Sequence, residues 1–344
     1  MPVREYVDAL AREFDIRSVS TAPLSTVYLG GGTPSKLGAE GVGQLLATIR
    51  ARFSIATDAE ITVEANPEDV TQAAAAAWLS AGVTRLSLGA QSFEPRVLEW
   101  MHRTHNAADI ARAVNAARSA GFANVSLDLI FALPDVLDRV WSRDIDALLA
   151  LAPEHVSVYG LTIEPATPLG RWRARGEVAA PADDRWADEF LFAHEHLERG
   201  GYEHYEVSNY SRPGFRSRHN EGYWTGVPYI GAGPAAHGFD GGARRWNVRE
   251  YSPWLEQINA GRDPVEGSEQ LGPAERLAES VYLGLRSSAG LVLEPGDAEL
   301  VHSWETAGWG RIHERHGSRL LVLNAPGWLR LDSLAAALTA LRSR

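Results

Sequence analysis

The chain has 344 residues, of which 45% are hydrophobic and 22% are charged, and its 44 acidic side chains outnumber the 33 basic ones. This acidic balance argues against a nucleic-acid-binding protein, because affinity for phosphate backbones depends largely on Lys and Arg. The sequence contains no cysteine, so its residues cannot form disulfides, cysteine nucleophiles or thiolate-held metal clusters. The N-terminal segment is charged, and no uncharged apolar run approaches the roughly 18 residues of a membrane span. The sequence therefore predicts a cytoplasmic protein.

Short apolar runs alternate with longer segments of helical periodicity between residues 25 and 162, a pattern typical of βα units around a parallel sheet. The predicted strands cover residues 26–30, 61–64, 85–89, 125–130 and 156–159, and the predicted helices cover residues 39–52, 71–81, 107–120 and 139–150. Residues 3–14 also have a helical pattern, yet no strand precedes them. The spacing therefore predicts an α/β fold, a partial (β/α) barrel that lacks its first strand.

The pattern changes after residue 181. An amphipathic helix is predicted over residues 183–199, and a Gly-, Tyr- and Trp-rich stretch with little periodicity follows over residues 202–254. Further helices are predicted over residues 273–286, 297–307 and 333–342, and a strand over residues 320–323. This order predicts a small winged-helix-like α+β domain at the C-terminus. We expect three regions, which are a barrel over residues 1–200, a connecting region over 201–270 and the C-terminal domain over 271–344.

Polar residues gather at the ends of the predicted strands, where a (β/α) barrel places its functional groups. These residues are Gly30 to Thr33, Glu64, Gln91, Asp128 and Thr162. The glycine run allows close backbone approach and offers amide groups to an anion or an amino-acid moiety. The alternative for the glycine run is a tight turn that binds nothing. The alternative for the other residues is that chains commonly become polar where strands end. Repetition at successive strand ends favours one shared site.

A second cluster of aromatic and imidazole side chains lies in the Gly-rich part of the sequence. It contains His219, Tyr223 and Trp224, followed by Tyr229 and His237. Such a set offers an axial metal ligand, hydrogen-bond donors and a flat aromatic wall, as a haem or porphyrin requires. The alternative is a loop histidine that is only hydrogen-bonded.

Taken together in this order, the motifs are specific to one family. They are LGGGTPS at residues 29–35, VEANP at 63–67, RLSLGAQSF at 85–93, LDLIFALP at 127–134 and LTIEP at 161–165. They resemble the radical S-adenosylmethionine family that comprises oxygen-independent coproporphyrinogen dehydrogenases and haem chaperones. HNEGYW at residues 219–224 resembles the HNxxYW motif of the chaperone branch, and NAPGWL at 324–329 resembles the final domain of the family. The resemblance covers nearly the whole chain and favours the chaperone branch.

The resemblance implies a scaffold that binds a 4Fe–4S cluster and S-adenosylmethionine, and a protein that binds haem and transfers it to an acceptor protein, free or at a membrane surface. By the same resemblance, Gly31, Gly32 and Thr33 contact the methionine part of the nucleotide, and Glu64 lies near its ribose. Gln91, Arg103 and Asp128 match positions that line the nucleotide region. His219, Tyr223 and Trp224 are the implied haem contacts, with His219 the candidate ligand of the haem iron.

The sequence departs from the family at one essential motif. Members have CxxxCxxC after their first strand, upstream of a helix that residues 6–10 resemble, and this motif is absent here. Without three thiolates there is no cluster to supply the electron, so we expect no radical chemistry from these residues. Two explanations remain open: a start codon assigned downstream of the true one, or a cluster-free relative. Coproporphyrinogen dehydrogenation and a cluster-free binding scaffold are the alternative functions.

Overall fold

A seven-stranded sheet lies at the centre of the computed structural model, which describes residues 2–17, 22–165, 167–179, 181–315 and 317–344. Its strands are β1 (Leu24–Leu29), β2 (Ile55–Ala65), β3 (Arg85–Gln91), β4 (Val125–Phe131), β5 (His155–Gly160), β6 (Glu203–Glu206) and β7 (Asn209–Ser211). They are ordered β1-β2-β3-β4-β5-β7-β6. Strands β1 to β5 are parallel, whereas β7 and β6 add an antiparallel hairpin at one edge. The predicted partial barrel is confirmed as a curled half-barrel.

Helices precede and connect these strands, and those that pack on the sheet cover its outer face. They are α1 (Val3–Ile16), α2 (Gly38–Arg50), α3 (Gln72–Ser80), α4 (Pro95–Trp100), α5 (Ala107–Ala120), α6 (Trp141–Leu151), α7 (Pro168–Ala174) and α8 (Asp183–Arg199). Alternate strand residues such as Val63, Leu86 and Leu127 are fully buried beneath them. Helix α5 begins at an Asn106 capping box and ends at Gly121, whose φ of 108° suits a glycine. These local signals explain why the helix boundaries are predictable.

Strand β2 is longer than predicted, because it begins at Ile55 rather than at residue 61. Its first half is polar and pairs only with β1, Leu24 lying opposite Ile55 and Thr26 opposite Glu60. A search for apolar runs misses this half of the strand because it is polar. Its pairing with one neighbouring strand is enough to keep it extended.

The region after β7 forms a second, smaller sheet. Its elements are α9 (Arg218–Trp224), β8 (His237–Phe239), β9 (Ala243–Asn247), α10 (Tyr251–Asn259) and β10 (Val265–Gln270). The three strands are antiparallel in the order β10-β9-β8. None of these short elements was predicted from the glycine-rich sequence.

The C-terminal part contains the predicted helices and a third sheet. Its elements are α11 (Pro273–Arg286), β11 (Leu291–Val292), α12 (Ala298–Thr306), β12 (Gly310–Arg315), β13 (Ser318–Leu323), α13 (Ala325–Trp328) and α14 (Leu331–Arg342). The sheet has three strands in the order β11-β13-β12. This helix-and-hairpin arrangement agrees with the predicted small α+β domain. The boundaries at residues 200 and 270 stay a prediction, since the central sheet continues past residue 200 through β6 and β7. No helix in the described part of the chain is long and apolar enough to cross a membrane.

Candidate functional site

The inner face of the half-barrel is polar. Successive residues of a strand point to opposite faces, so the residues between the buried apolar ones share this face. The strand registers place them side by side, with Tyr28 opposite Thr62 and Glu64 opposite Ser87. The polar members are Thr26, Tyr28, Glu60, Thr62, Glu64, Arg85, Ser87, Ser126, Asp128, His155, Ser157 and Tyr159. This face holds two of the predicted site residues, Glu64 and Asp128.

Glu64 is tied to the glycine loop that follows β1. The Tyr28 hydroxyl donates to its Oε1 at 2.7 Å, and the Gly31 N–H donates to its Oε2 at 3.2 Å. Burial raises the pKa of the Glu64 carboxyl, while these two hydrogen bonds act in the opposite direction. Gly30 is required by close approach, because a side chain there would collide with Tyr28 and Glu64. The predicted pairing of the glycine loop with Glu64 is thus present in the geometry.

Gly31, Gly32 and Thr33 form an exposed turn beside this carboxylate. Gly31 has a φ of 79°, and both glycines face open space. Ser35, two residues after Thr33, anchors this turn to the loop after β2. Its hydroxyl donates to Asp69 Oδ2 at 2.7 Å and accepts the Asn66 N–H at 3.2 Å. The loops after β1 and β2 therefore form one connected edge, with the exposed glycine turn above it.

Asp128 lies on the same face, one strand beyond Ser87. The Ser87 hydroxyl donates to it at 3.3 Å. Burial raises the pKa of the Asp128 carboxyl to about 6, and the negative charge of Glu64 adds to this rise, against the hydrogen bonds from Ser157 and Ser87. Two carboxyl groups thus influence each other's ionisation inside the half-barrel.

Gln91 ends β3 in a strained backbone conformation, with a φ of 65°. Its amide lies over Gly89, where a side chain would collide with it. Buried Asp144 fixes the two residues after Gln91. It accepts from the Ser92 hydroxyl at 2.8 Å and from the Phe93 N–H at 2.6 Å. The structure thus holds Gln91 at the rim of the polar face.

Arg103 and Thr162 are less closely connected to the site. Arg103 lies in the loop between α4 and α5, where its N–H donates to the Leu98 carbonyl at 2.8 Å. Among the described residues, no hydrogen bond or ion pair joins its guanidinium to Glu64 or Asp128. Thr162 is exposed beyond the end of β5. The structure does not bring these two residues into the Glu64 cluster.

Helix α9 places His219 against the β1 side of the polar face. His219 Nδ1 lies 2.9 Å from Thr26 Oγ1, and its Nε2 lies 2.9 Å from the Tyr223 hydroxyl. The imidazole stacks on the Tyr28 ring, with the centroids 4.7 Å apart and the planes 17° from parallel. Burial lowers the pKa of His219 to about 4, so the ring is neutral near pH 7.

A carboxylate from the sheet holds the first turn of α9. Glu60 on β2 accepts the N–H groups of Arg218 at 3.2 Å and His219 at 3.1 Å. The Ser217 side chain caps the helix by accepting the Asn220 N–H at 3.3 Å. A negative charge at a helix N-terminus is favourable, so Glu60 fixes the position of the imidazole.

Tyr223 and Trp224 extend the aromatic surface beside His219. Tyr223 is 37% exposed and packs edge-on against Tyr229 with the centroids 4.7 Å apart. The Arg286 guanidinium lies 4.2 Å from the centroid of the Trp224 ring. The Trp224 Nε1–H is buried without an acceptor among the described residues. The three predicted haem-contact residues therefore lie on one short helix with an exposed aromatic edge.

Tyr28 connects the Glu64 cluster with helix α9, because its ring stacks on His219 and its hydroxyl donates to Glu64. Tyr28, Thr26 and Glu60 are not among the residues predicted from the sequence, since they lie within strands rather than at strand ends. Their signal was the period-two alternation of polar residues along β1 and β2.

Comparison with known proteins assigns the family. Residues 3–148 match the Radical SAM superfamily. The chain is 41% identical to "Heme chaperone HemW" of Mycobacterium tuberculosis over 96% of its own length and 85% of that relative, and 35% identical to "Heme chaperone HemW" of Bacillus subtilis over 84% and 77%. The solved structure of coproporphyrinogen III oxidase (HemN) from Escherichia coli, described as a radical SAM enzyme, shares the fold with a TM-score of 0.79 at 20% identity, covering 98% of this chain and 83% of that one. The chain belongs to the radical SAM family that contains the haem chaperone HemW and HemN.

Proposed function

We propose that this protein is a haem chaperone, which binds haem at helix α9 and transfers it to an acceptor protein, free or at a membrane surface. The observation that supports this most is the neutral imidazole of His219, held at the polar face beside two aromatic side chains. The naming of relatives that are up to 41% identical as haem chaperones supports the same proposal.

The contacts of His219 are compatible with iron coordination. Both partners of the ring are hydroxyl groups, and a hydroxyl can either donate or accept. When the Nδ1–H donates to Thr26 Oγ1, the Nε2 lone pair becomes available, and iron takes the place of the Tyr223 hydroxyl. Trp224 and the displaced Tyr223 then provide aromatic surface for the porphyrin.

We also propose that the polar face is the S-adenosylmethionine region. Glu64 offers carboxylate oxygens to the ribose hydroxyls, and the exposed turn of Gly31, Gly32 and Thr33 faces the position of the methionine moiety, with the Gly31 N–H directed to Glu64. Gln91 and Asp128 extend this surface across β3 and β4, whereas Arg103 belongs to the proposed set by its sequence position alone, since the structure does not join it to the Glu64 cluster. The exposed turn and the carboxylate pair are the observations that support this assignment.

The residues present do not fit the 4Fe–4S cluster that the family implies. Such a cluster is held by cysteine thiolates, and the 344 residues contain none. When bound, the cluster supplies the electron that cleaves S-adenosylmethionine. We therefore assign no radical step to these residues, and the proposed haem transfer requires none.

The direct test is a haem titration of the purified protein, followed by its absorption band. We expect His219→Ala to bind haem at the α9 site at least tenfold more weakly. The matched control is His302→Ala, an exposed histidine on helix α12 of the C-terminal part. Unchanged affinity and an unchanged absorption band in His219→Ala would refute the assignment. Conversion of added coproporphyrinogen III by the same preparation would support the enzyme alternative instead.

A further inference from the structure

A second cavity lies away from the polar face, between α8, β6 and the C-terminal hairpin. Its volume is about 460 Å³, within the size range of ligand sites. The wall combines imidazole, guanidinium and indole groups, from His194, His204, Arg311, His313 and Trp328. Neither the proposed haem helix nor the proposed nucleotide region contributes to it.

Two of these histidines form a directed hydrogen-bond relay. His204 Nε2 lies 3.2 Å from the Val207 carbonyl, which can only accept, so this nitrogen donates. Burial lowers the pKa of His204 well below its usual value, so the ring is neutral and its Nδ1 is an acceptor. His194 Nδ1 lies 3.0 Å from that acceptor and must donate to it. The relay therefore places the free lone pair of neutral His194 on its Nε2.

The relay is rigid at its buried end. His204 stacks on Tyr210, with the ring centroids 3.9 Å apart, and meets Trp328 edge-on at 4.3 Å. Metal-binding histidines characteristically donate their second N–H to a fixed partner, which sets the tautomer and the orientation of the ring. His204 provides that support for His194.

The cavity suits a metal that brings its own equatorial ligands. In the described ranges, no three His, Cys, Asp or Glu side chains are grouped to hold a bare metal ion. Haem iron needs only one axial protein ligand, because the porphyrin supplies the other four. Trp328, Val322 and Leu323 line the cavity with apolar surface, and Arg311 adds a cation suited to a propionate. The Glu198 carboxylate lies 3.5 Å from His194 Nε2 and is half exposed, so it can turn into solvent.

We propose that this cavity is a second haem site, with His194 Nε2 as the iron ligand and Arg311 beside a propionate. The inference rests on the proposed haem-binding function and adds a site that is separate from α9. A chaperone with two haem sites can accept one haem while it still holds another.

The test is the number of haems bound at saturation by the whole chain and by three variants of α8. His194→Ala removes the ligand. His194→Gln retains an amide that can donate to His204 but lacks the imidazole. The matched control is His196→Ala, because His196 lies on the same helix and stacks on Phe192 rather than lining the cavity. Circular dichroism and the melting temperature verify folding in each variant.

We expect two haems per chain for the unaltered protein and for His196→Ala, and one for both His194 variants. His219→Ala should also bind one haem. In that variant the haem at His194 remains, whereas the His194 variants retain the haem at α9. Two haems in either His194 variant, or a single haem in the unaltered chain that persists in them, would overturn the second site and leave the proposed function intact. No haem binding at all would refute the proposed function itself. Zn²⁺ binding without porphyrin that disappears in His194→Ala would overturn the assignment to haem.

Discussion

His219 has a half-buried imidazole whose two ring nitrogens both contact hydroxyl groups, and its desolvation keeps the ring neutral. The energetic consequence is acid sensitivity. In the unfolded chain the ring takes a proton near pH 6.5, whereas in the fold its pKa is about 4. Between these values only the unfolded state binds the proton, so the free energy of unfolding decreases as the pH falls through this window.

We predict that His219→Asn removes this pH dependence. At pH 7 the unaltered protein should be the more stable one, because the imidazole contacts are intact. At pH 5 the difference in unfolding free energy between the two proteins should shrink by about 2 kcal/mol. Urea unfolding at both pH values measures the difference. An equal gap at pH 7 and pH 5 would contradict a neutral, half-buried His219.

Tyr28 links the imidazole to Glu64, and Tyr28→Phe separates its two contacts. The phenyl ring can still stack on His219, while the hydrogen bond to Glu64 is lost. We expect a loss of about 1 kcal/mol of stability and a further rise of the Glu64 pKa, because that hydrogen bond holds the pKa down. Carboxyl NMR titration measures the pKa. Tyr229→Phe, in the same aromatic cluster, should leave the Glu64 pKa unchanged.

The residues of the site were predictable to different degrees. Glu64 and Asp128 are polar residues among the apolar residues of β2 and β4, so their presence in one site could be inferred from the sequence, whereas their place within the strands on the inner face could not. Thr26 was not predictable, because its partner His219 is 193 residues away along the chain. Only the packing of α9 on β1 creates that contact, and no local pattern in the sequence encodes it.

Helix α9 is too short to be stable alone, so its attachment to the sheet determines its position. Two carboxylates of β2 contact its first turn in different ways. Glu60 is 7% exposed and accepts backbone N–H groups, whereas the side chain of Asp58 is 77% exposed and pairs with Arg218. Because Glu60 is buried and Asp58 is exposed, Glu60 should contribute more to the attachment of α9 to the sheet.

We predict that Glu60→Gln costs about 2 kcal/mol, because the charged acceptor of two backbone N–H groups is lost. Asp58→Asn should cost less than about 0.5 kcal/mol, since an exposed ion pair contributes little. Hydrogen exchange of the α9 amides should accelerate only in Glu60→Gln. Equal effects of the two substitutions would show that Glu60 does not anchor the helix.

Helices and strands were predictable where the capping residues and the hydrophobic periodicity lie within the element's own sequence. Helix α5 lies between an Asn106 cap and Gly121, and its predicted bounds are correct. Strands β8 and β9 are too short to show a hydrophobic period, so they are defined only by their pairing with each other and with β10. The same reason explains why the β6–β7 hairpin was not predicted.

At the scale of the whole molecule, Glu13 connects the first helix to the second sheet. It is fully buried and accepts from the Gly233 N–H at 2.8 Å, from Asn247 Nδ2 at 2.7 Å and from Trp254 Nε1 at 3.0 Å. Arg17 supplies a compensating positive charge at 3.2 Å. The Glu13 carboxylate is therefore the buried polar connection between helix α1 and the region that follows α9, beside contacts such as Arg12 with Asn259 and Tyr6 with Trp254.

We predict that Glu13→Gln lowers the free energy of unfolding by about 3 kcal/mol, because the amide leaves Arg17 without its charge partner and cannot satisfy every donor. Asp8→Asn, on the exposed face of the same helix, is the control and should have little effect, since Asp8 pairs only weakly with exposed Arg4. Urea denaturation compares the two variants. A loss in Glu13→Gln no larger than that of the control would contradict the role of Glu13 as the connection.

The central claim is that haem bound at α9 is delivered to another protein. The most direct measurement is the rate at which a haem-free b-type haemoprotein regains its absorption band after mixing with the haem-loaded chain, compared with mixing with haem-loaded albumin. We predict faster delivery from the chain, and loss of this advantage in His219→Ala. Delivery no faster than from albumin, or an undiminished rate in His219→Ala, would contradict the account.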